Sequence, residues 1–260
     1  MNPSELAAVQ VMLKDAEAIA QSYFGRVKPQ WKSSQSYVTE ADFAVQDCII
    51  DWLNANHPDD GIIAEERALR REPVRGGRHW IIDPIDGTAS FVRGFATWGI
   101  GLALVEEFEP LAGFFACPAA GERYWAVRGH GTWRNGKAVH VRRPAPLGKE
   151  TVLLAFSRIH RTGLLERSFP GKVRSLGSTI AHAAYAAAGC GDAALLARSM
   201  IWDLAPGLIL LREAGGVIRY LHGRQISLRD IMEGGPTVQP LLCGHPGTLD
   251  ALERHLISDR

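Results

Sequence analysis

The run Trp80-Ile81-Ile82-Asp83-Pro84-Ile85-Asp86-Gly87-Thr88 constrains this chain more than any other segment. An apolar strand closes on two carboxylates, which face outward around a proline-forced turn. Anions at the end of a buried strand cost electrostatic energy unless cations compensate them, and a divalent metal is the simplest compensation. Pro84 fixes its own φ and biases Asp83 toward an extended conformation, so both acids project from one edge while the Ile85 carbonyl points inward. Gly87 lets the backbone approach a ligand closely, and its amide and that of Thr88 can donate to phosphate oxygens. Thr88 adds a hydroxyl beside them.

At 260 residues the chain is long enough for one large domain or two small ones, with ample core in either case. Lys+Arg 29 against Asp+Glu 28 leaves a formal charge of +1, which provides no global field for a nucleic-acid polymer or an anionic membrane. Cys48, Cys117, Cys190 and Cys243 are scattered and read as buried free thiols. No apolar run approaches the roughly 20 residues of a membrane span, and the N-terminus has no basic segment followed by an apolar one. The expectation is a cytoplasmic protein.

Asn2-Pro3 forms a cap and first-turn pair, and Leu6, Val9, Leu13, Ala16 and Ala20 recur at helical spacing until Gly25. Residues 32–36, Lys-Ser-Ser-Gln-Ser, read as a loop. Thr39 followed by Asp42 predicts the cap of a second helix running through Leu53, with Asp42 in its first turn. Gly61-Ile62-Ile63-Ala64 is a short strand delivering Glu65-Glu66, as residues 80–82 deliver Asp83. Segments 98–105, 110–117 and 122–127 predict an antiparallel meander, and Gly129, Gly131 and Asn135-Gly136 continue the hairpin pattern. A composition shift at Arg142-Arg143-Pro144-Ala145-Pro146 marks a boundary between an N-terminal domain, 1–142, and a C-terminal α/β domain, 143–260. Beyond it strand 151–156, helix 180–188, strand 193–196, helix 204–214 stopped by Gly215-Gly216, and strand 217–220 alternate.

Taken singly, each acid has an ordinary explanation: an Asx-turn with solvated carboxylates at Asp83 and Asp86, a solvated strand end at Glu65-Glu66, a helix N-cap at Asp203. Taken together they sit at the mouths of apolar elements where one cleft can form, and carboxylate oxygens are the hard ligands that magnesium takes. Asp83-Pro84-Ile85-Asp86-Gly87-Thr88, with Glu65-Glu66 upstream and Trp202-Asp203-Leu204-Ala205-Pro206-Gly207 downstream, resembles the inositol monophosphatase family. Val38-Thr39-Glu40-Ala41-Asp42, Gly177-Ser178, Gly191-Asp192-Ala193 and Glu213-Ala214-Gly215-Gly216 fall in the family's order, so the resemblance covers most of the chain.

The resemblance implies an α+β or α/β fold in layers, an αβαβα sandwich like those of inositol monophosphatase and fructose-1,6-bisphosphatase. It implies a lithium-sensitive, magnesium-dependent phosphomonoesterase using metal-activated water. Glu65, Asp83 and the Ile85 carbonyl would hold one ion, Asp83, Asp86 and Asp203 a second, and a weaker third would lean on Glu65. Asp42 would pair with Thr88 to orient the attacking water, which makes Asp42, Thr88 and Glu65 the catalytic set. Gly87 and Thr88 would grip the phosphate, with Asp86, Gly177, Ser178 and Asp203 completing the substrate side. The implied partner is a small phosphorylated metabolite, inositol monophosphate first, with histidinol phosphate, fructose 1,6-bisphosphate and adenosine 3′,5′-bisphosphate as alternatives. A homodimer is implied as well.

Three departures from the family pattern stand out. Ala64 replaces a glycine before the paired acids, Pro206 interrupts the small residues after Asp203, and Leu196 stands, by ungapped counting back from Asp203, where inositol-specific members carry glutamate. None removes a metal ligand, but the last weakens an inositol assignment. Arg158, His160, Arg161, Lys172, Arg174 and Arg198 supply cations for a second anionic or polar group of a substrate, or a solvated surface. Lys32 and its serine-rich loop resemble the family's mobile flap or a plain linker. No helix-spaced histidine pair, nucleophile elbow or phosphate-binding loop with lysine is present, which argues against zinc and serine hydrolases. The non-enzyme alternative is a metal-dependent phosphate-binding module, and a scaffold role through dimerisation is a third.

Overall fold

The computed structural model of the chain describes residues 1–31, 37–74, 77–221, 223–232 and 235–257. Helix α1 (Pro3–Tyr23) opens as expected, with the Asn2 side chain accepting from Glu5 N at 2.8 Å. Strands β1 (Gln30–Trp31) and β2 (Tyr37–Val38) pair with each other, and the loop expected at 32–36 lies outside the described residues. Helix α2 (Glu40–Asn56) begins in a capping box made by Thr39 and Asp42. There follow β3 (Gly61–Ala64), β4 (Arg70–Arg71), β5 (Arg78–Asp86) and the short α3 (Thr88–Arg93). The expected meander is β6 (Gly99–Glu106), β7 (Glu109–Cys117) and β8 (Glu122–Val127). Strands β9 (Thr132–Arg134) and β10 (Lys137–Val139) form the last hairpin, turning at Asn135-Gly136, where both residues have positive φ. The second half contains β11 (Val152–Ala155), α4 (Ile159–Thr162), β12 (Lys172–Arg174), α5 (Thr179–Ala187) and β13 (Ala193–Leu196). It ends with α6 (Ile201–Glu213), β14 (Val217–Tyr220), β15 (Leu241–Gly244) and α7 (Pro246–Glu253).

Two sheets organise the molecule. The larger runs β10-β9-β8-β7-β6-β5-β3-β4, antiparallel except where β3 lies parallel to β5; the smaller runs β12-β11-β13-β15-β14, with β11 parallel to both neighbours. The strands are apolar on both faces because helices cover both. In β5, Trp80 and Ile82 pack with α1 and α2 through Val9, Ala16, Val45 and Ile49, whereas Ile81 joins the core of α5 and α6. In the second sheet Leu154, Ala194, Leu196 and Cys243 meet α5 and α6, while Leu153, Ala193 and Leu242 meet Ile159 of α4 and Leu249 and Leu252 of α7. The result is five layers, helix, sheet, helix, sheet, helix, with α5 and α6 buried between the sheets, as the αβαβα expectation required.

The turn expected around Pro84 is instead a bulge within a strand. β5 pairs with β6 as far as Asp83↔Gly101, slips, and resumes at Asp86↔Gly99. Proline has no N–H for the ladder, and the slip absorbs it while keeping both acids on the strand. Helix α6 begins at Ile201, before the expected Leu204, because the Asp203 side chain accepts from Met200 N at 2.7 Å and caps an earlier turn. Cys190 is exposed rather than buried, being in the Gly189-Cys190-Gly191 turn; Cys117 and Cys243 are buried and Cys48 is half-buried.

Pro206 sits inside α6, and its carbonyl lies against Gly113 of β7. A Cβ on Gly113 would stand 2.3 Å from Ile209 Cγ2 and 2.8 Å from Pro206 O, so glycine there sets how closely α6 approaches the large sheet. Gly113→Ala should cost about 1–3 kcal/mol by overpacking and lower the melting temperature by roughly 2–10 °C. Thermal unfolding checks this, and an unchanged melting temperature would mean that the helix can yield at this contact.

Candidate active site

Asp83 and Asp86 on β5 and Asp203 in the first turn of α6 each present a carboxylate oxygen, and these oxygens all lie within 4.8 Å of one another. Asp83 is 1% exposed, and its Oδ1 is buried without a hydrogen-bond partner. Burial pushes Asp83 well above the usual carboxylate range, and the charges of Glu65, Asp86, Asp203 and Asp42 push it further. Asp86 is also raised by burial, against the hydrogen bonds of the Ser178 hydroxyl, Ile180 N (2.6 Å) and Thr179 N (3.0 Å). Those amides open α5, so the positive end of a helix faces Asp86. Ser178 also caps α5, its Oγ accepting from Ala181 N at 2.9 Å.

Gly87 joins β5 to α3 with φ +89°, and a Cβ there would lie 3.1 Å from each of Gly177 O, Ser178 Cβ and Thr97 O. Both the left-handed backbone and the crowding require glycine. Thr88, the first residue of α3, places its hydroxyl 3.1 Å from Ile85 O and 3.4 Å from Asp42 Oδ1. The other Asp42 oxygen accepts from Thr39 N at 2.8 Å and Thr39 Oγ1 at 2.6 Å, so the capping box of α2 aims Oδ1 at Thr88. Burial, opposed by those Thr39 bonds and aided by Glu66 and Glu65, pushes Asp42 up to about 7.

Glu65 follows β3, and its amide donates to Ile82 O at 3.1 Å, which holds it beside β5 one residue before Asp83. It is half-buried, and its charge is the largest acting on Asp83. Glu66, 2% exposed, is clamped by Gln46, whose amide meets Glu66 O at 3.1 Å and Glu66 N at 2.9 Å. The next two residues, Arg67 (φ 60°) and Ala68 (φ 46°), hold left-handed backbone. Arg67 is anchored by Asp47 at 3.0 Å and lies 4.9 Å over the Phe43 ring.

The structure therefore brings Asp83, Asp86 and Asp203 to one point, sets Glu65 near them, and links Asp42 to Thr88. Gly177 and Ser178 abut Gly87. Thr39 was visible in the sequence as a cap, but its role in aiming Asp42 was not. Gln46 and His182 carried no signal at all. His182, a lone histidine in an alanine-rich helix, accepts from Leu176 N at 2.9 Å through Nε2 and so shapes the turn before Ser178. Burial pushes it down to about 4, which keeps the ring neutral for that role.

A converging all-oxygen set with a buried, unpartnered oxygen, whose strongest charged neighbours are all acids, fits a hard divalent cation. The inositol monophosphatase family profile matches residues 2–256. The chain belongs to that family. Its members are phosphatases, that is, phosphoric monoester hydrolases, and are magnesium-dependent in general. A Thermotoga maritima relative named fructose-1,6-bisphosphatase/inositol-1-monophosphatase is 36% identical over 219 residues, covering 82% of this chain and 84% of the relative. A histidinol-phosphatase of Mycobacterium tuberculosis is 33% identical over 240 residues, covering 86% and 90%. The solved IMPase from Thermotoga maritima superposes with a TM-score of 0.83 at 29% identity, covering 98% of this chain and 96% of that one.

The buried acids make a linked prediction about pH and magnesium. Without metal, these acids hold protons in the folded state that the unfolded chain has already released, so their contribution to stability falls as pH rises from about 4 through about 7, the value to which Asp42 is pushed, while buried His182 contributes in the opposite sense. Magnesium held by these acids would favour their deprotonated form, so the rise in melting temperature that it causes should grow from about pH 5 to about pH 8 and be lost in Asp83→Asn. Thermal unfolding with and without MgCl2 tests this; a magnesium effect independent of pH would place the ion elsewhere.

Proposed function

We propose that this family member hydrolyses the monoester of a small phosphorylated metabolite, with the acids of β3, β5 and α6 as its magnesium site and Thr88 with Asp42 as the groups that orient water. The convergence of three carboxylates, one of which, Asp83, has a buried and unpartnered oxygen, carries the reading. Glu65, Asp83 and the Ile85 carbonyl would hold one magnesium ion, and Asp83, Asp86 and Asp203 a second, with a third resting on Glu65. Bound magnesium supplies the positive charge that a phosphate dianion and a departing alkoxide require.

The remaining work falls to groups of the chain itself. The Gly87 and Thr88 amides, at the start of α3, have no intrahelical acceptors and can hold phosphate oxygens. The Thr88 hydroxyl has one proton and two acceptors, Ile85 O and Asp42 Oδ1. As water attacks phosphorus, Thr88 accepts a proton from it and passes its own to Asp42, whose burial-raised affinity for protons, about 7, suits an acceptor near neutral pH. This pairing favours catalysis over a metal-dependent phosphate-binding module, which would need the acids but not the Thr88–Asp42 contact.

Inositol monophosphate is the first substrate to test, and histidinol phosphate, fructose 1,6-bisphosphate and adenosine 3′,5′-bisphosphate the alternatives. The named activities of the Thermotoga and Mycobacterium relatives support the first three. Leu196 is buried at the end of β13 and offers ring hydroxyls no polar group, which argues for testing the alternatives in the same panel. On this reading the domain of residues 1–142 supplies most metal ligands, and that of 143–260 supplies Asp203 and specificity. The chain works as a cytoplasmic homodimer, with scattered free cysteines consistent with a reducing compartment.

Phosphate release from that panel, with magnesium and with added lithium, tests the reading. Asp86→Asn, which removes a ligand's charge at nearly constant volume, should abolish turnover. Thr88→Ala should lower turnover by roughly 10²-fold while leaving magnesium-dependent stabilisation near normal. Full turnover in either variant would remove the role assigned to that residue.

A further inference from the structure

The small sheet presents a second feature beside the acids. Strands β12, β11 and β13 are adjacent and parallel, so their C-terminal ends lie along one edge, spanning about 10 Å at ordinary strand spacing. The chain leaves β11 for β12 on one side and then crosses through α5 to β13 on the other. Such a reversal of strand order opens a crevice at the carboxyl ends of the strands, where ligands bind in open α/β sheets. The connections leaving this edge deliver the site: the one after β12 reaches Ser178, which bonds Asp86, and the one after β13 reaches Asp203.

At or just after each of the three strand ends stand one arginine, at least one serine and no acid: Phe156-Ser157-Arg158 after β11, Arg174-Ser175-Leu176-Gly177-Ser178 from the last residue of β12, and Ala197-Arg198-Ser199-Met200 after β13. All three arginines are exposed, and none forms an ion pair among the described residues. Among the described residues the Arg174 side chain bonds only the Val173 carbonyl, at 3.0 Å. Arg198 is held in place: its Nε donates to Thr237 O at 2.8 Å, and its neighbour Ser199 is bonded to Thr237 through both backbone groups, at 2.9 and 3.2 Å. Thr237 is fully buried. The terminal nitrogens of Arg198 are left as an anchored fork, the geometry that matches a phosphate or carboxylate.

We propose that Arg198, with Arg158 and Arg174 along the same edge, receives a second anionic group of the substrate. The preferred substrate is then a small phosphomonoester bearing another phosphate or a carboxylate, not one with a neutral polyol tail. The buried Leu196, two residues earlier, agrees in supplying no partner for hydroxyls. This inference rests on the phosphatase reading and narrows it.

The test compares kcat/KM, with magnesium, for fructose 1,6-bisphosphate, 3-phosphoglycerate and glycerol 2-phosphate. The wild-type protein should favour at least one anionic substrate over glycerol 2-phosphate by about tenfold or more, and which one it favours distinguishes a second phosphate from a carboxylate. Arg198→Gln should reduce that ratio roughly ten- to hundredfold, the scale of one charge-assisted contact, through KM and not kcat. Arg198→Lys, which keeps the charge but not the fork, should fall between. Thermal unfolding establishes that both variants fold, as expected for an exposed side chain with one bond to a carbonyl. A ratio that survives both substitutions, or a wild-type preference for glycerol 2-phosphate, overturns the proposal alone. No phosphate release from any of the three overturns the phosphatase reading and the proposal with it.

Discussion

Everything around the site depends on holding several carboxylates close together where burial makes their charge expensive. Desolvation of an ion costs several kcal/mol, and like charges nearby add to it, as the raised affinities of Asp42, Asp83 and Asp86 for protons record. The fold answers with helix N-termini. Asp42 lies in the first turn of α2 and accepts from the Thr39 amide; Asp203 lies in the first turn of α6 and accepts from the Met200 amide; Asp86 accepts from the first two amides of α5. Three helices thus direct their positive ends at three acids, and each carboxylate is oriented by donors within the chain. Among the described acids Asp83 alone keeps a buried oxygen without a hydrogen-bond partner. The arrangement holds the acids in position yet leaves one strong demand for positive charge at its centre.

That convergence is possible because α5 and α6 run between the two sheets. Helices buried on all sides need apolar surface all round, and small residues where they approach each other, which Ala183, Ala184, Ala187 and Ala205 provide. The distance of α6 from the large sheet is set at Gly113, whose missing side chain makes room for Pro206 and Ile209. Since Asp203 starts the same helix, a packing contact remote from the acids fixes where one of them stands. Proline inside α6 removes one backbone donor, and the helix remains continuous because its neighbours hold it from both sides.

Much of this was legible in the sequence, for identifiable reasons. Uninterrupted apolar runs such as 61–64 and 80–82 declared covered strands, Asn2-Pro3 and Thr39 to Asp42 declared helix starts, and Asn135-Gly136 declared a hairpin, because each signal is local. The acids were legible as a group because each sits at the mouth of an apolar element. What escaped prediction depends on distant partners. β15 follows a turn-rich segment with little periodicity and acquires its structure from pairing with β13 and β14, and α7 packs on that sheet through Leu249 and Leu252. The bulge at Pro84 is visible only once β6 lies alongside. Gln46 and His182 act on backbone groups beside the site, at Glu66 and Leu176, and no spacing rule connects a side chain to a backbone group twenty residues away, or to an amide in the turn before its own helix.

The same logic bears on how a fold of this kind can change substrate without losing its chemistry. The clustered acids are fixed by strand register and by helix caps, whereas the arginines at the strand ends are exposed. Yet the connection carrying Arg198 also carries Met200 and Asp203, and it is bonded to Thr237 at both backbone groups of Ser199. An insertion or deletion there would move Asp203 along with the specificity residue. If this connection sets specificity as proposed, exchange of a side chain, as at Leu196 and Arg198, can shift it far more readily than a change of length. The constraint that preserves the acids thus also limits the routes by which the substrate can vary.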